Sequence, residues 1–550
     1  MVRLVDVLLL TVLLAGALAW PLHAPPIAAH GEAREGLVVQ DVALRGEWTL
    51  PRRNGELPSK PPLFHWMAAA AARAFGLTDA TVRAPSAIAA WVTLVATFAL
   101  GTAIGGRASG WIAAGALLGM AGFWQSAWEA RVDMVFVAAI TVALVAFFAW
   151  YRRGGAVARA CCYAATACAV LAKGPAGAAL PGSIVLAFVA RESWRRHRGP
   201  AGVVDGVDDD SGRDADDAAG VRAAVLAGAP ATLGAGGAGP VVHLRAVVAR
   251  FWSWPLVALV ALVDVGWYAL AYRRGGVDFL TVQLLHENVD RLVGRGVFGM
   301  HGGRSRFDMI TQLATDVLPW NLVLVASAVA WVRGARADLG ARFLHAWWLV
   351  VVAVFTAAYG KRDIYLLPLY PALALLAGRA LAAATARAPA GPVLGVVPVP
   401  AALRRRFPTR PALALVALAI VLFDATVVTV FQFARLRDVR RHSLLAFVRD
   451  VEAHLPADAT LYAAHDLDGS DLQVLAYRLR RAIPRTATED PLAVPRVARA
   501  PDVYVLLPSA TADARSDARV RRIATSSRRG ANVALIAVSP EPTQPTAVAG

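Results

Sequence analysis

Between two apolar segments the chain carries HGEAREGLVVQDVALRGEWTLPRRNGELPSKPPLFHW, residues 30–66. Glu32, Arg34, Glu35, Asp41 and Glu47 come first, followed by Arg52, Arg53 and Ser59-Lys60-Pro61-Pro62. The two prolines fix φ, and Pro61 biases Lys60 away from α geometry, so the backbone itself aims this lysine. A carboxylate followed at a distance by an aimed cation suits a site that activates one group and holds a negatively charged one. Four more clusters repeat the theme: Arg131-Val132-Asp133; Lys173-Gly174-Pro175, where Gly-Pro forces a turn; His286-Glu287-Asn288-Val289-Asp290-Arg291; and Lys361-Arg362-Asp363 with Tyr365. The only lysines in the chain are Lys60, Lys173 and Lys361. Cations of this kind hold a phosphate, and a carboxylate deprotonates an acceptor hydroxyl. Plainer readings stand beside these. A cation at a helix end anchors and snorkels at the interface, and Asp133 can serve as a helix cap. His65 reads as interfacial, and Trp124 and Trp320 read as an aromatic belt. His286 and Glu287 are the candidate metal ligands, although an adjacent pair is weak ligand spacing.

The elements that must position these groups are membrane spans. The chain has 550 residues, 57% of them hydrophobic and only 17% charged, against about 25% charged in soluble domains. Long apolar runs recur at about 2–20, 87–100, 111–124, 132–150, 160–172, 177–190, 254–272, 318–332, 346–358, 364–381 and 411–433. These predict an all-α polytopic membrane protein with about eleven transmembrane helices. The first run is read as an uncleaved span rather than a signal peptide. The net charge of +17 is explained by basic flanks on alternate loops, and no nucleic-acid motif accompanies it. The three cysteines, Cys161, Cys162 and Cys168, have neither metal nor disulfide spacing and read as helix packing.

Arg107, then Arg152, Arg153 and Arg159, then Arg191, Arg195, Arg196 and Arg198, then Arg333 and Arg336, and finally Arg404, Arg405 and Arg406 fall on alternate loops. By the positive-inside rule those loops and the N-terminus are cytoplasmic. The basic flank at Arg435–Arg441 opposes this assignment and is outvoted. All three lysines then lie outside. The transmembrane domain is assigned to 1–433, with an outer loop over 21–85 in which Leu63–Phe75 reads as an amphipathic interfacial helix. An Asp/Gly/Ala-rich insert at about 199–245 reads as disordered and cytoplasmic. Residues 434–550 read as a small extracytoplasmic α/β domain: helices near 444–455 and 471–478, strands near 459–464, 502–507 and 531–538.

In this order, GEARE with GEW and NGELPSKPPLFHW, then RVDM, LAKGPAGAALP, ENVDR, LPW and YGKRDIYLLPLYP resemble lipid-linked-sugar glycosyltransferases of the GT-C type. The resemblance is to the aminoarabinose transferase and protein O-mannosyltransferase group, glycosyltransferase families 39 and 83, and it spans Gly31 to Pro371. It implies a polyprenyl-phosphate sugar donor, transfer at the outer face of the cell's inner membrane to an extracytoplasmic acceptor (lipid A, a glycan or a protein), and assistance by a divalent metal. It also implies an acidic pair opening the first loop, of which Glu32 remains beside Gly31; Ser59 and Asn288 replace two further family residues. On this reading Glu32 is the general base or a metal-bound carboxylate, with Asp133 as its helper. Arg34, Lys60, Lys173 and Arg291, with Lys361 and Tyr365, hold the lipid phosphate. Two rivals follow from the same residues. A lipid-linked-sugar flippase needs charges along its spans, and the spans are nearly free of them, Asp264 and Asp424 being exceptions. A non-catalytic relative is motivated by Gly31.

Overall fold

The computed structural model of the protein describes chiefly residues 2–23, 25–198, 240–290, 317–332, 338–358, 363–387, 397–442 apart from 409, 444–486 apart from 457–458, 503–513, 520–526 and 533–539. The transmembrane part is helical. Its helices are α1 (Leu4–His23), α2 (His30–Arg45), α3 (Leu63–Phe75), α4 (Asp79–Leu118), α5 (Ala121–Trp128), α6 (Val132–Arg153), α7 (Ala156–Lys173), α8 (Ala176–Arg198), α9 (Pro240–Phe251), α10 (Trp254–Leu280), α11 (Trp320–Val332), α12 (Leu339–Ala357), α13 (Tyr370–Arg387) and α14 (Pro411–His442). A π-helix, Thr281–Asp290, continues α10, and a 3₁₀ segment, Asp363–Leu369, leads into α13.

Eight described helices are long and apolar enough to cross a membrane, where the run count predicts about eleven. Part of the difference has a local cause. The runs at 87–100 and 111–124 are not two free helices: α4 carries the first and the start of the second, bent at Gly106, where φ is +82°. The end of the second run belongs to the short α5. Trp124, read as part of an aromatic belt, is buried in the bundle, as is Trp320. The disordered insert falls mainly on residues outside the described ones; its predicted end at about 245 is corrected, because α9 begins at Pro240.

The two ends of the bundle differ chemically. At one end, the Arg107 guanidinium at the α4 bend holds Asp6 of α1, joined by the Trp111 indole. Arg342 at the start of α12 forks onto Glu192 of α8, both buried. Arg379 of α13 donates to the Ile104 carbonyl. Asp79, at the start of α4, marks the opposite end and accepts from the Ile27 backbone N–H just beyond α1. Lys60, Lys173 and Asp133 all belong to this second end.

The C-terminal part has helices α15 (Leu445–His454) and α16 (Gly469–Arg478) and strands β1 (Leu461–Ala463), β2 (Val503–Pro508), β3 (Val520–Thr525) and β4 (Val533–Val538). The sheet order is β1-β2-β4-β3, with β1 parallel to β2 and the remaining pairs antiparallel. Val505 and Leu507 on β2 and Ile536 and Ala534 on β4 form its core. The three predicted strands and both helices are present within a few residues. β3 is additional; as an edge strand with Arg521 and Arg522 exposed it lacks an apolar signature.

Candidate active site

The first loop is not a loop at its start. Residues 30–45 form α2, ended by Gly46 in the left-handed region. α2 packs against α3 and α16, so its polar content is accommodated by tertiary contacts rather than by lipid. One turn of it presents Arg34 and Glu35. Beyond it, Asn54 and Ile483 exchange hydrogen bonds, tying the Lys60 loop to the C-terminal domain. The π-helix folds back over this loop: Gln283 Nε2 donates to the Pro58 carbonyl at 2.6 Å.

The outcome is a convergence. Lys60 Nζ donates to Glu287 Oε2 at 2.5 Å. Lys173, the last residue of α7, pairs with Asp133 in the first turn of α6. The Lys173 ammonium also lies 5.0 Å from the ring centroid of Tyr365 and 4.9 Å from that of Phe136, within cation–π range. Arg34 Nη2 holds Glu35 at 2.6 Å and lies within electrostatic reach of Glu287 and Asp133. Asp133 in turn feels Arg131 and Lys60. Glu35 accepts a second bond at 2.9 Å involving His65 Nε2. Although burial alone pushes its carboxyl upward, Arg34 and His65 together hold it well below the usual carboxylate range. The side chains of Lys60, Lys173, Asp133 and Glu287 keep 10–14% of their surface exposed, so the cluster is recessed but open.

Glu32 pairs with Arg83. Its carboxylate receives the Arg83 guanidinium in a forked pair, at 2.8 and 3.0 Å, and the Ala130 backbone N–H. Glu32 is 1% exposed and Arg83 0%. Arg83 also donates to the Pro21, Leu22 and Pro25 carbonyls. Glu32 therefore welds α2 to α4 and to the end of α1. His65, read as interfacial, is buried and serves Glu35. Asp133 stands at the second position of α6 and not at its cap, which is Arg131. Arg291 and Lys361 lie outside the described residues. Glu35 and Arg131 take part although neither stands among the residues to which the sequence assigned a role. Arg131 pairs with Glu129 at 2.9 Å and lies against Gly31. The available signal for Glu35 was its place beside Arg34.

Among the described residues the donor set does not fit a metal. His286 turns to Asp290 at 2.6 Å while Glu287 turns to Lys60. Asp133, Glu35 and Glu287 each already carry a cationic partner. Among the described residues no group of three His, Cys, Asp or Glu side chains is arranged to hold an ion. What the arrangement can do is hold an anion between Lys60, Lys173 and Arg34, with carboxylates at hand to take a proton.

Residues 59–204 match the family described as dolichyl-phosphate-mannose-protein mannosyltransferase. An undecaprenyl phosphate-alpha-4-amino-4-deoxy-L-arabinose arabinosyl transferase of Shewanella sediminis is 24% identical over 66% of this chain and 57% of its own. The enzyme of the same description from Pseudomonas paraeruginosa is 32% identical over 23% of this chain and 22% of its own. The chain thus matches little more than half the length of the curated relatives at most. Among solved structures, ArnT from Cupriavidus metallidurans bound to undecaprenyl phosphate superposes with a TM-score of 0.68 at 17% identity, covering 98% of both chains. Its apo form gives 0.65 at 18%, covering 96% of this chain and 97% of that one. The fold is of this GT-C type, and the resemblance read from the motifs holds for sequence and fold alike.

Proposed function

We propose that this protein is an integral-membrane glycosyltransferase that takes a sugar from a polyprenyl-phosphate carrier and joins it to an extracytoplasmic acceptor. The observation that carries this reading is the meeting of Lys60–Glu287 and Lys173–Asp133 beside Arg34 at one end of the bundle. Likeness in fold to a protein solved with undecaprenyl phosphate supports the class of donor.

The reaction forms a bond from the acceptor oxygen to the anomeric carbon and breaks the bond from that carbon to the phosphate oxygen. The lipid phosphate leaves with added negative charge. Lys60, Lys173 and Arg34 neutralise it, and they act on the rate because that charge grows toward the transition state. Both lysines are held by carboxylates in the structure. An arriving phosphate competes for them, so Asp133 and Glu287 lose part of their counter-ion as the donor binds and become better proton acceptors. We assign the acceptor's proton to Asp133, at the mouth of α6, with Glu287 as the residue that orients Lys60. Glu35 holds the Arg34 guanidinium and, with its low proton affinity, is a poor base.

The lysine-bearing end faces outward in this proposal and the arginine-rich end faces the cytoplasm, in the cell's inner membrane. The charge clusters at that outer end favour surface chemistry over a flippase path. The test is transfer by purified protein from a polyprenyl-phosphate-linked sugar. Wild type should release polyprenyl phosphate, and Lys60→Ala should lose about a hundredfold or more in turnover with an unchanged elution profile in detergent. Full activity of Lys60→Ala would overturn the role of Lys60, and no release by wild type would overturn the function.

A further inference from the structure

A polar group beside the cluster has no partner among the described residues. The Tyr268 hydroxyl, on α10, is buried and without a hydrogen-bond partner among the described residues. Buried polar groups in native proteins are paired, so an orphan needs an explanation. Its position supplies one. Gly174, next to Lys173, adopts φ +78°, and a Cβ built there would lie 3.3 Å from the Tyr268 oxygen and 3.9 Å from Asn288 Nδ2. The ring belongs to an apolar cluster with Leu57, Leu63 and Trp66, which flank Lys60, with Leu171, two residues before Lys173, and with Phe279, just ahead of the π-helix that carries Glu287. It packs on Trp267 at 4.8 Å between centroids. Tyr268 thus sits where the walls of the site meet, its ring fixed and its hydroxyl free to donate. One turn deeper, Asp264 on the same face of α10 also has an oxygen without a partner, opposite Cys168 of α7. The two make a polar line leading from Lys173 along the α7–α10 seam.

We propose that the Tyr268 hydroxyl donates a hydrogen bond to a phosphoryl oxygen of the lipid-linked donor, as a further member of the cradle formed by Lys60, Lys173 and Arg34. This rests on the function proposed above. The bond strengthens as the phosphate leaves, so it acts on turnover as well as on retention of the released polyprenyl phosphate. Glycine at 174 leaves the approach to the hydroxyl open.

The experiment compares wild type, Lys60→Ala and Tyr268→Phe for binding of a short-chain polyprenyl phosphate, for transfer, and for melting temperature in detergent. Phenylalanine keeps the ring packing and removes an unpaired hydroxyl, so Tyr268→Phe should melt at or slightly above the wild-type temperature. It should also lose about tenfold in polyprenyl-phosphate affinity and in kcat, with a smaller change in KM. Wild-type-like binding and turnover in Tyr268→Phe, while Lys60→Ala fails to bind, would overturn this inference and leave the proposed function standing. A melting temperature that falls together with binding would also overturn it, because the hydroxyl would then serve the fold. Failure of wild type itself to bind the polyprenyl phosphate would overturn both.

Discussion

Replacing Glu32 and replacing Asp133 should give opposite results, although both are carboxylates at the same end of the molecule. Glu32→Gln strands the Arg83 guanidinium in a fully buried site, a loss of about 3–5 kcal/mol when one partner of a buried pair is removed. We expect a marked drop in melting temperature and near-normal turnover in the molecules that remain folded. Asp133→Asn should melt normally and lose about a hundredfold in kcat. A normal melting curve with lost turnover in Glu32→Gln would return Glu32 to the role of base. The sequence could not separate the two, because Arg83 is 51 residues from Glu32 and sits just ahead of an apolar run with no local sign of its partner. The lysines were legible for the reverse reason. With arginine at nearly every other cationic position, each lysine stands out, and the rigid Pro61-Pro62 and the Gly174-Pro175 turn mark where two of them sit.

At the scale of elements, the C-terminal domain reaches the site through α2. The Tyr477 ring of α16 lies against Gly36, where an added Cβ would come within 2.5 Å of it. The Tyr477 hydroxyl donates to Asp79, Arg478 joins the same carboxylate, and Gln40 donates to the Tyr477 carbonyl. Gly36→Ala should therefore push α16 off α2, expose Arg478 and Arg481 to trypsin and lower transfer. Adding Tyr477→Ala, which vacates the space, should restore protection. An unchanged cleavage pattern in Gly36→Ala would show that the docking does not depend on this contact. Much of this was hidden in the sequence. α2 reads as loop because Glu32, Glu35, Gln40 and Asp41, all buried, break any apolar stripe; each is satisfied by a partner on α3, α4 or the C-terminal domain, or within the first loop itself. The apolar strands β2 and β4 and the amphipathic α3, α15 and α16 carry their own signals and were read nearly in place.

For the whole molecule, geography is central: one end of the bundle brings both described lysines together with Asp133 and Glu287, while the other, around Arg107, Arg342 and Arg379, pairs arginines with Asp6, Glu192 and Asp338. The alternation of basic loops made this legible before any coordinates. The number of helices was less so, since a bend such as that at Gly106 joins two apolar runs into one element. The most direct test places the ligand. A photoreactive short-chain polyprenyl phosphate, cross-linked to the purified protein and mapped by mass spectrometry, should label the Lys60 loop and the α7–α8 turn at Lys173, and the label should fade in Lys60→Ala. Labelling confined to the arginine-rich end, around Arg107 and Arg342, would contradict the account.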